Sequence, residues 1–261
     1  MATNIELDPV LREEAAFADR DYAPFSNQLE INTTMFERYA APTDVSDWRQ
    51  MAALLLGDLR DQELLDFGCG MGEESVYFAK LGAKVTGIDI SEVGTATLRR
   101  RAEHHGLDIR AFTMRADPTE LDDGAFDRVH GLGILHHIGI ASGLAEVHRL
   151  LRPGGIAVFL EPLGDSVAVE AVKTWLMRHV RFLGHFDDVT DHERNLTWRE
   201  LEAVLAGFHS AWLYPYHLLY RLKRVFPTAA LSAIRRVDHA ALSLVPALKK
   251  YAGGVVIRLQ K

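Results

Sequence analysis

Positions 66 to 72 read Asp-Phe-Gly-Cys-Gly-Met-Gly, with Gly68, Gly70 and Gly72 at alternate places, after an apolar run and before Glu73 and Glu74. Glycine turns between a strand and a helix allow tight backbone and bring main-chain N–H groups beside a ligand. A dinucleotide turn more often reads Gly-x-Gly-x-x-Gly, with a pyrophosphate on the helix N-terminus. Here the spacing is Gly-x-Gly-x-Gly, and two carboxylates at the helix start disfavour a pyrophosphate. The bland alternative is a turn that serves only strand-to-helix packing.

Asp89 closes the next apolar run, AKVTGIDI. At the carboxyl end of a strand in an open α/β sheet, a carboxylate can accept from both hydroxyls of a ribose. It can also cap the following helix, although Ser91 is placed to do so instead. His136 and His137 follow a later strand pattern; an imidazole there can serve as a base near neutral pH, or simply pack in a loop. Glu161 ends another strand on the same edge, where it can orient an acceptor or bind neighbouring backbone.

The elements that position these residues follow from periodicity. ELLDF, AKVTGIDI, IRAFTMR, AFDRVHGLGI and IAVFLEP read as strands. GEESVYFAKLG, SEVGTATLRRRAEHHG and ASGLAEVHRLL, the last closed by Arg152-Pro153-Gly154, read as helices. This alternation predicts a parallel, doubly wound sheet. Upstream, QLEINTTMFERYA and DVSDWRQMAALLLGD predict two helices, the second with Asp44 as N-cap. Downstream, SVAVEAVKTWLMRHVRFLG and TWRELEAVLAGF predict helices, Thr197 capping the second. HSAWLYPY and GGVVIRL predict closing strands, separated by about 35 residues, too many for a hairpin loop.

LLDFGCGMG, VTGIDIS, RADPTEL, FDRVHGLGILHHI and LLRPGG, in that order, resemble class I S-adenosylmethionine-dependent methyltransferases over about residues 61 to 162. The resemblance implies a Rossmann-like seven-stranded sheet of order 3-2-1-4-5-7-6 with the last strand antiparallel. It implies S-adenosylmethionine as cofactor and S-adenosylhomocysteine as product. Asp66, Gly68, Cys69, Gly70 and Gly72 would meet the methionine end, Asp89 the ribose and Asp117 the adenine, with Ile90 and Ala116 on the two faces of the base. Many relatives carry Asn or Asp after the fourth strand; Gly131, Leu132 and Gly133 leave only backbone for that contact. A sulfonium also suits a pocket biased by Asp66, Glu73 or Glu74.

The expected organisation is an N-terminal helical cover (1–60), the cofactor-binding core (61–162), a helical insertion (163–207), closing strands (208–216 and 253–261) and a helical cap (217–252). Tyr39, His185, Tyr214 and Tyr216 are candidates for the acceptor pocket. The segment HFDDVTDH lacks a metal-ligand spacing, so no metal is expected. Basic residues interleaved with apolar ones in 217–251 suit an anionic or lipid-like acceptor, or the solvated face of capping helices.

Lys and Arg number 29 against 36 Asp and Glu, a net charge of −7, which argues against nucleic acid. The single cysteine excludes an internal disulfide framework, the acidic start lacks signal-peptide character, and no apolar run nears the roughly 20 residues of a membrane span. A cytoplasmic monomer or homodimer that methylates a small molecule is the expectation. Its rivals are a cyclisation or rearrangement on the same cofactor, an NAD-dependent oxidoreductase, and a non-catalytic partner protein.

Overall fold

The computed structural model describes residues 9–164, 196–223 and 226–261. Seven strands form one sheet of order β3-β2-β1-β4-β5-β7-β6. They are β1 (Glu63–Phe67), β2 (Lys84–Asp89), β3 (Ile109–Thr113), β4 (Phe126–Leu132), β5 (Leu151–Pro162), β6 (Ser210–Tyr216) and β7 (Gly254–Gln260). β7 runs antiparallel to both β5 and β6, while the strands from β3 to β5 are mutually parallel. The sheet therefore has the expected order and orientation.

Strands covered on both faces must be apolar throughout, which is why ELLDF and IAVFLEP carry continuous rather than alternating hydrophobicity. Leu65, Phe67, Val129 and Phe159 build the core on one face, and Leu64, Val158, Leu160 and Val256 on the other. The first face is covered by α6 (Ile140–Leu150) and α7 (Trp198–Val204). On the second lie α2 (Thr33–Ala40), α3 (Trp48–Leu56) and α4 (Glu73–Lys80), while α5 (Glu92–His104) lies against β2 and β3. Thr197 caps α7 in a full capping box with Glu200.

Three local expectations change. The cap of α3 is Asp47, whose carboxylate accepts from the Arg49 and Gln50 amides, whereas Asp44 accepts from Ser46. The segment before α2 contains a helix that periodicity did not indicate, α1 (Pro9–Tyr22), which has no buried residue. Among its described residues the cap region holds one α-helix, α8 (Leu231–Leu244), and short 3-10 turns. Its buried Asp238 accepts from the backbone amides of Leu218, Leu219 and Tyr220, fixing the chain after β6.

Strand order reverses at β1, whose neighbours are β2 and β4. Crevices for ligands in open α/β sheets lie at the carboxyl ends of such strands.

Candidate functional site

The loop after β1 is tied to β2 through its backbone. Gly68 and Cys69 donate to the Ile88 carbonyl at 2.9 and 2.8 Å, and Gly70 donates to Asp89 Oδ2 at 2.8 Å. Asp89 Oδ1 accepts from the Ser91 amide at 2.8 Å, and the Ser91 hydroxyl caps α5 by accepting from the Gly94 amide. Ser91 thus takes the capping role and Asp89 the loop. Burial raises the Asp89 carboxyl pKa against the lowering effect of the Ser91 and Gly70 N–H groups.

Two compartments open at this crevice and share Tyr22, Gly68 and Leu132. One, of about 300 Å³, is lined by Asp89, Ile90, Ala116 and Asp117, with Leu11 and Phe17 of α1 opposite. The other, of about 390 Å³, is lined by Asp66, the glycine loop, Glu74, Arg101 and His130. Both are of ligand-binding size. The expected cofactor residues are thereby divided in two sets, Asp89, Ile90, Ala116 and Asp117 on one side and Asp66, Cys69, Gly70 and Gly72 on the other. Burial, with Asp89 and Asp66 nearby, pushes the Cys69 thiol pKa up. Gly131 lines neither compartment; a side chain there would meet the Phe159 ring at 2.5 Å, and it is Leu132 that faces both.

Asp66 lines the loop-side compartment and is also tied into the core. Its Oδ2 accepts from the Ser75 hydroxyl at 2.5 Å and its Oδ1 pairs with His130 Nδ1 at 3.0 Å, so both oxygens are engaged. His130 is fully buried, and its Nε2 has no partner among the described residues. Sequence reading passed over His130 as one residue of an apolar strand. The available signal was a histidine in β4 that the parallel register sets opposite Asp66.

Of the two roles open to Glu161, the structure shows the bond to neighbouring backbone, and it ties His136 to the same carboxylate. Glu161 is fully buried and its Oε1 accepts from the Ile134 and Leu135 amides at 2.9 and 2.8 Å, while Oε2 pairs with His136 Nδ1 at 2.8 Å. The carboxylate therefore holds the loop after β4 rather than facing an acceptor. His137, not His136, lines the nucleoside-sized compartment beside Ile134 and Ile138. Glu161→Ala should destabilise the fold by about 3 kcal/mol, because two backbone amides and an imidazole lose a buried charged acceptor. Chemical denaturation checks this, and a loss below about 1 kcal/mol would contradict the clamp.

Of the acceptor-pocket candidates, Tyr39 is buried against Tyr77 and Phe78, with ring centroids 5.5 Å from each, and lines neither compartment. Its hydroxyl has no partner among the described residues. Tyr214 and Tyr216 lie on β6 away from both compartments; Tyr216 stacks on Trp48 at 5.4 Å and its hydroxyl reaches the Glu161 carbonyl at 3.5 Å. His185 lies outside the described residues.

Residues 64–155 match a family described as "Methyltransferase domain". The chain is similar to the demethylmenaquinone methyltransferase of Chlorobaculum tepidum, 35% identical over 129 residues, which cover 47% of this chain and 51% of that protein. It is also similar to the ubiquinone biosynthesis O-methyltransferase of Nitrosococcus oceani, 36% identical over 103 residues, or 39% of this chain and 44% of that one. It thus spans about half the length of these curated relatives. Among solved structures, the geranyl diphosphate C-methyltransferase of Streptomyces coelicolor A3(2), in complex with Mg2+, geranyl diphosphate and S-adenosyl-L-homocysteine, shares the fold. Its TM-score is 0.62 at 16% identity, over 97% of this chain and 98% of that one.

Proposed function

We propose that this chain, whose residues 64–155 match a methyltransferase domain family, is a class I S-adenosylmethionine-dependent methyltransferase that transfers a methyl group from that cofactor to a small-molecule acceptor. The observation that carries the reading is the glycine loop locked to Asp89 and opening onto two joined compartments where the strand order reverses. Their combined room and lining suit a nucleoside joined to an amino acid. Asp89 keeps lone pairs for ribose hydroxyls after binding Gly70 and Ser91, Ile90 and Ala116 supply apolar walls for a base, and Asp117 offers a carboxylate at its edge. When bound, the cofactor supplies an electrophilic methyl group on a sulfonium and leaves as S-adenosylhomocysteine.

What the protein must add is alignment and, for an ionisable acceptor, proton removal. Glu161 and His136 fix the loop after β4, and His137 is the imidazole of the pair that reaches the cleft. The acceptors in the names of the relatives, quinone precursors, and that of the fold neighbour, an isoprenyl diphosphate, support an apolar acceptor with a polar or anionic end. Such an acceptor agrees with the basic and apolar residues interleaved after β6. No helix among the described residues is long and apolar enough to cross a membrane.

Isothermal titration with S-adenosylmethionine and with NADH tests the cofactor assignment. S-adenosylmethionine should bind and NADH should not. Tight binding of NADH without S-adenosylmethionine would replace this reading by that of an oxidoreductase.

A further inference from the structure

The loop-side compartment holds two opposite charges that do not satisfy each other. Arg101 of α5 is 5% exposed, and its guanidinium donates only to carbonyls: Nε and Nη2 to Gln28 at 3.0 and 2.8 Å, and Nη1 to Met71 at 3.1 Å. Three of its five N–H bonds are used, two remain, and no carboxylate among the described residues pairs with it. Desolvation lowers its pKa, the expected effect on a cation without a bonded anion. Glu74, in the first turn of α4, is the reverse case. Its carboxylate lines the same compartment without a hydrogen bond or ion pair among the described residues, and burial raises its pKa.

Burying a charge is costly unless it is paired, and these two charges remain separate across one compartment. Their natural complement is a ligand group carrying both signs at once. Glu73 is drawn toward the N-terminal cover, its Oε1 accepting from the Asn32 amide at 3.1 Å. Asp66 is committed to Ser75 and His130.

We propose that Arg101 and Glu74 form a zwitterion clamp, Arg101 taking the carboxylate and Glu74 the ammonium of the amino-acid end of the cofactor. This rests on the methyltransferase reading and assigns the recognition of that end to two side chains of α5 and α4. Arg101 also joins the glycine loop, through Met71, to the N-terminal cover, through Gln28. Engagement of a carboxylate there would draw loop and cover onto the same anion.

The test is isothermal titration of wild type, Arg101→Met and Glu74→Gln with three probes. S-adenosylhomocysteine carries both charges of the amino-acid end, decarboxylated S-adenosylmethionine, a sulfonium, keeps the ammonium but not the carboxylate, and 5′-methylthioadenosine lacks both. Arg101→Met should bind S-adenosylhomocysteine about 10-fold or more weakly, the loss expected of a charge-assisted hydrogen-bonded pair, while holding the other two within about 2-fold of wild type. Glu74→Gln, which breaks no hydrogen bond among the described residues, should weaken the first two probes and spare 5′-methylthioadenosine. Equal weakening of all three by Arg101→Met would reduce that residue to a structural strap and overturn its half of the clamp. Unchanged affinities in Glu74→Gln would overturn the other half. Failure of the wild type to bind any of the three would instead remove the methyltransferase reading itself.

Discussion

Replacing Asp89 by alanine should weaken S-adenosylmethionine binding by roughly 2–4 kcal/mol, about 30- to 1,000-fold. Two losses add in that figure. The cofactor loses a charged acceptor for its ribose hydroxyls, and the glycine loop loses the bond from Gly70 that holds it against β2. The Ser91 amide is freed as well, although its hydroxyl still caps α5. Asp89→Asn keeps the shape and one amide acceptor and should fall between wild type and alanine. Isothermal titration measures both, and a change of less than about 3-fold in the alanine variant would refute the ribose assignment.

Gly72→Ala should be the most damaging small substitution in the core of the site, destabilising the fold by roughly 2–5 kcal/mol. Gly72 has φ +77°, a left-handed conformation in which a side chain is strained, and an added Cβ would stand 2.3 Å from Leu98 Cδ1. The backbone cost and the overpacking cost therefore act together. Gly106 separates them: its φ is +64°, but nothing lies within 4 Å of an added Cβ. Gly106→Ala should thus lose only the conformational share, about 1–2 kcal/mol. Denaturant melts of the two variants give the difference directly, and equal losses would show that Leu98 yields without cost.

The strands were legible because burial on both faces demands apolar runs, and the helices α2 to α7 because their apolar residues recur every three or four places. α1 was not, since a helix that buries nothing leaves no apolar period to read. Asp44 and Asp47 are both good N-caps by residue type; only the phase of Trp48, Ala52 and Leu56 against the sheet selects the second. Within the site, residues fixed by the backbone of one junction, such as Gly68, Gly70 and Asp89, were readable from spacing. Residues whose use depends on a neighbouring strand or helix were not. Residue type left Glu161 open to an acceptor or to neighbouring backbone, and only the loop after β4, which turns its amides onto the carboxylate, shows the second; His130 acquires its partner only through the register of β4 on β1. Arg101, on α5, meets Gln28 and Met71 across long sequence separations that periodicity does not encode.

α1 forms the outer wall of the nucleoside-sized compartment, yet contributes nothing to the core. One of its attachments is Asp19, which accepts from the Ser91 hydroxyl at 2.5 Å and the Val93 amide at 3.1 Å. Moving that wall away from a bound nucleoside would require the Asp19 bonds to the start of α5 to open. On the methyltransferase reading, release of spent cofactor is expected to follow the opening of this surface helix rather than any movement of the sheet, since elements with little buried area open at the lowest free-energy cost.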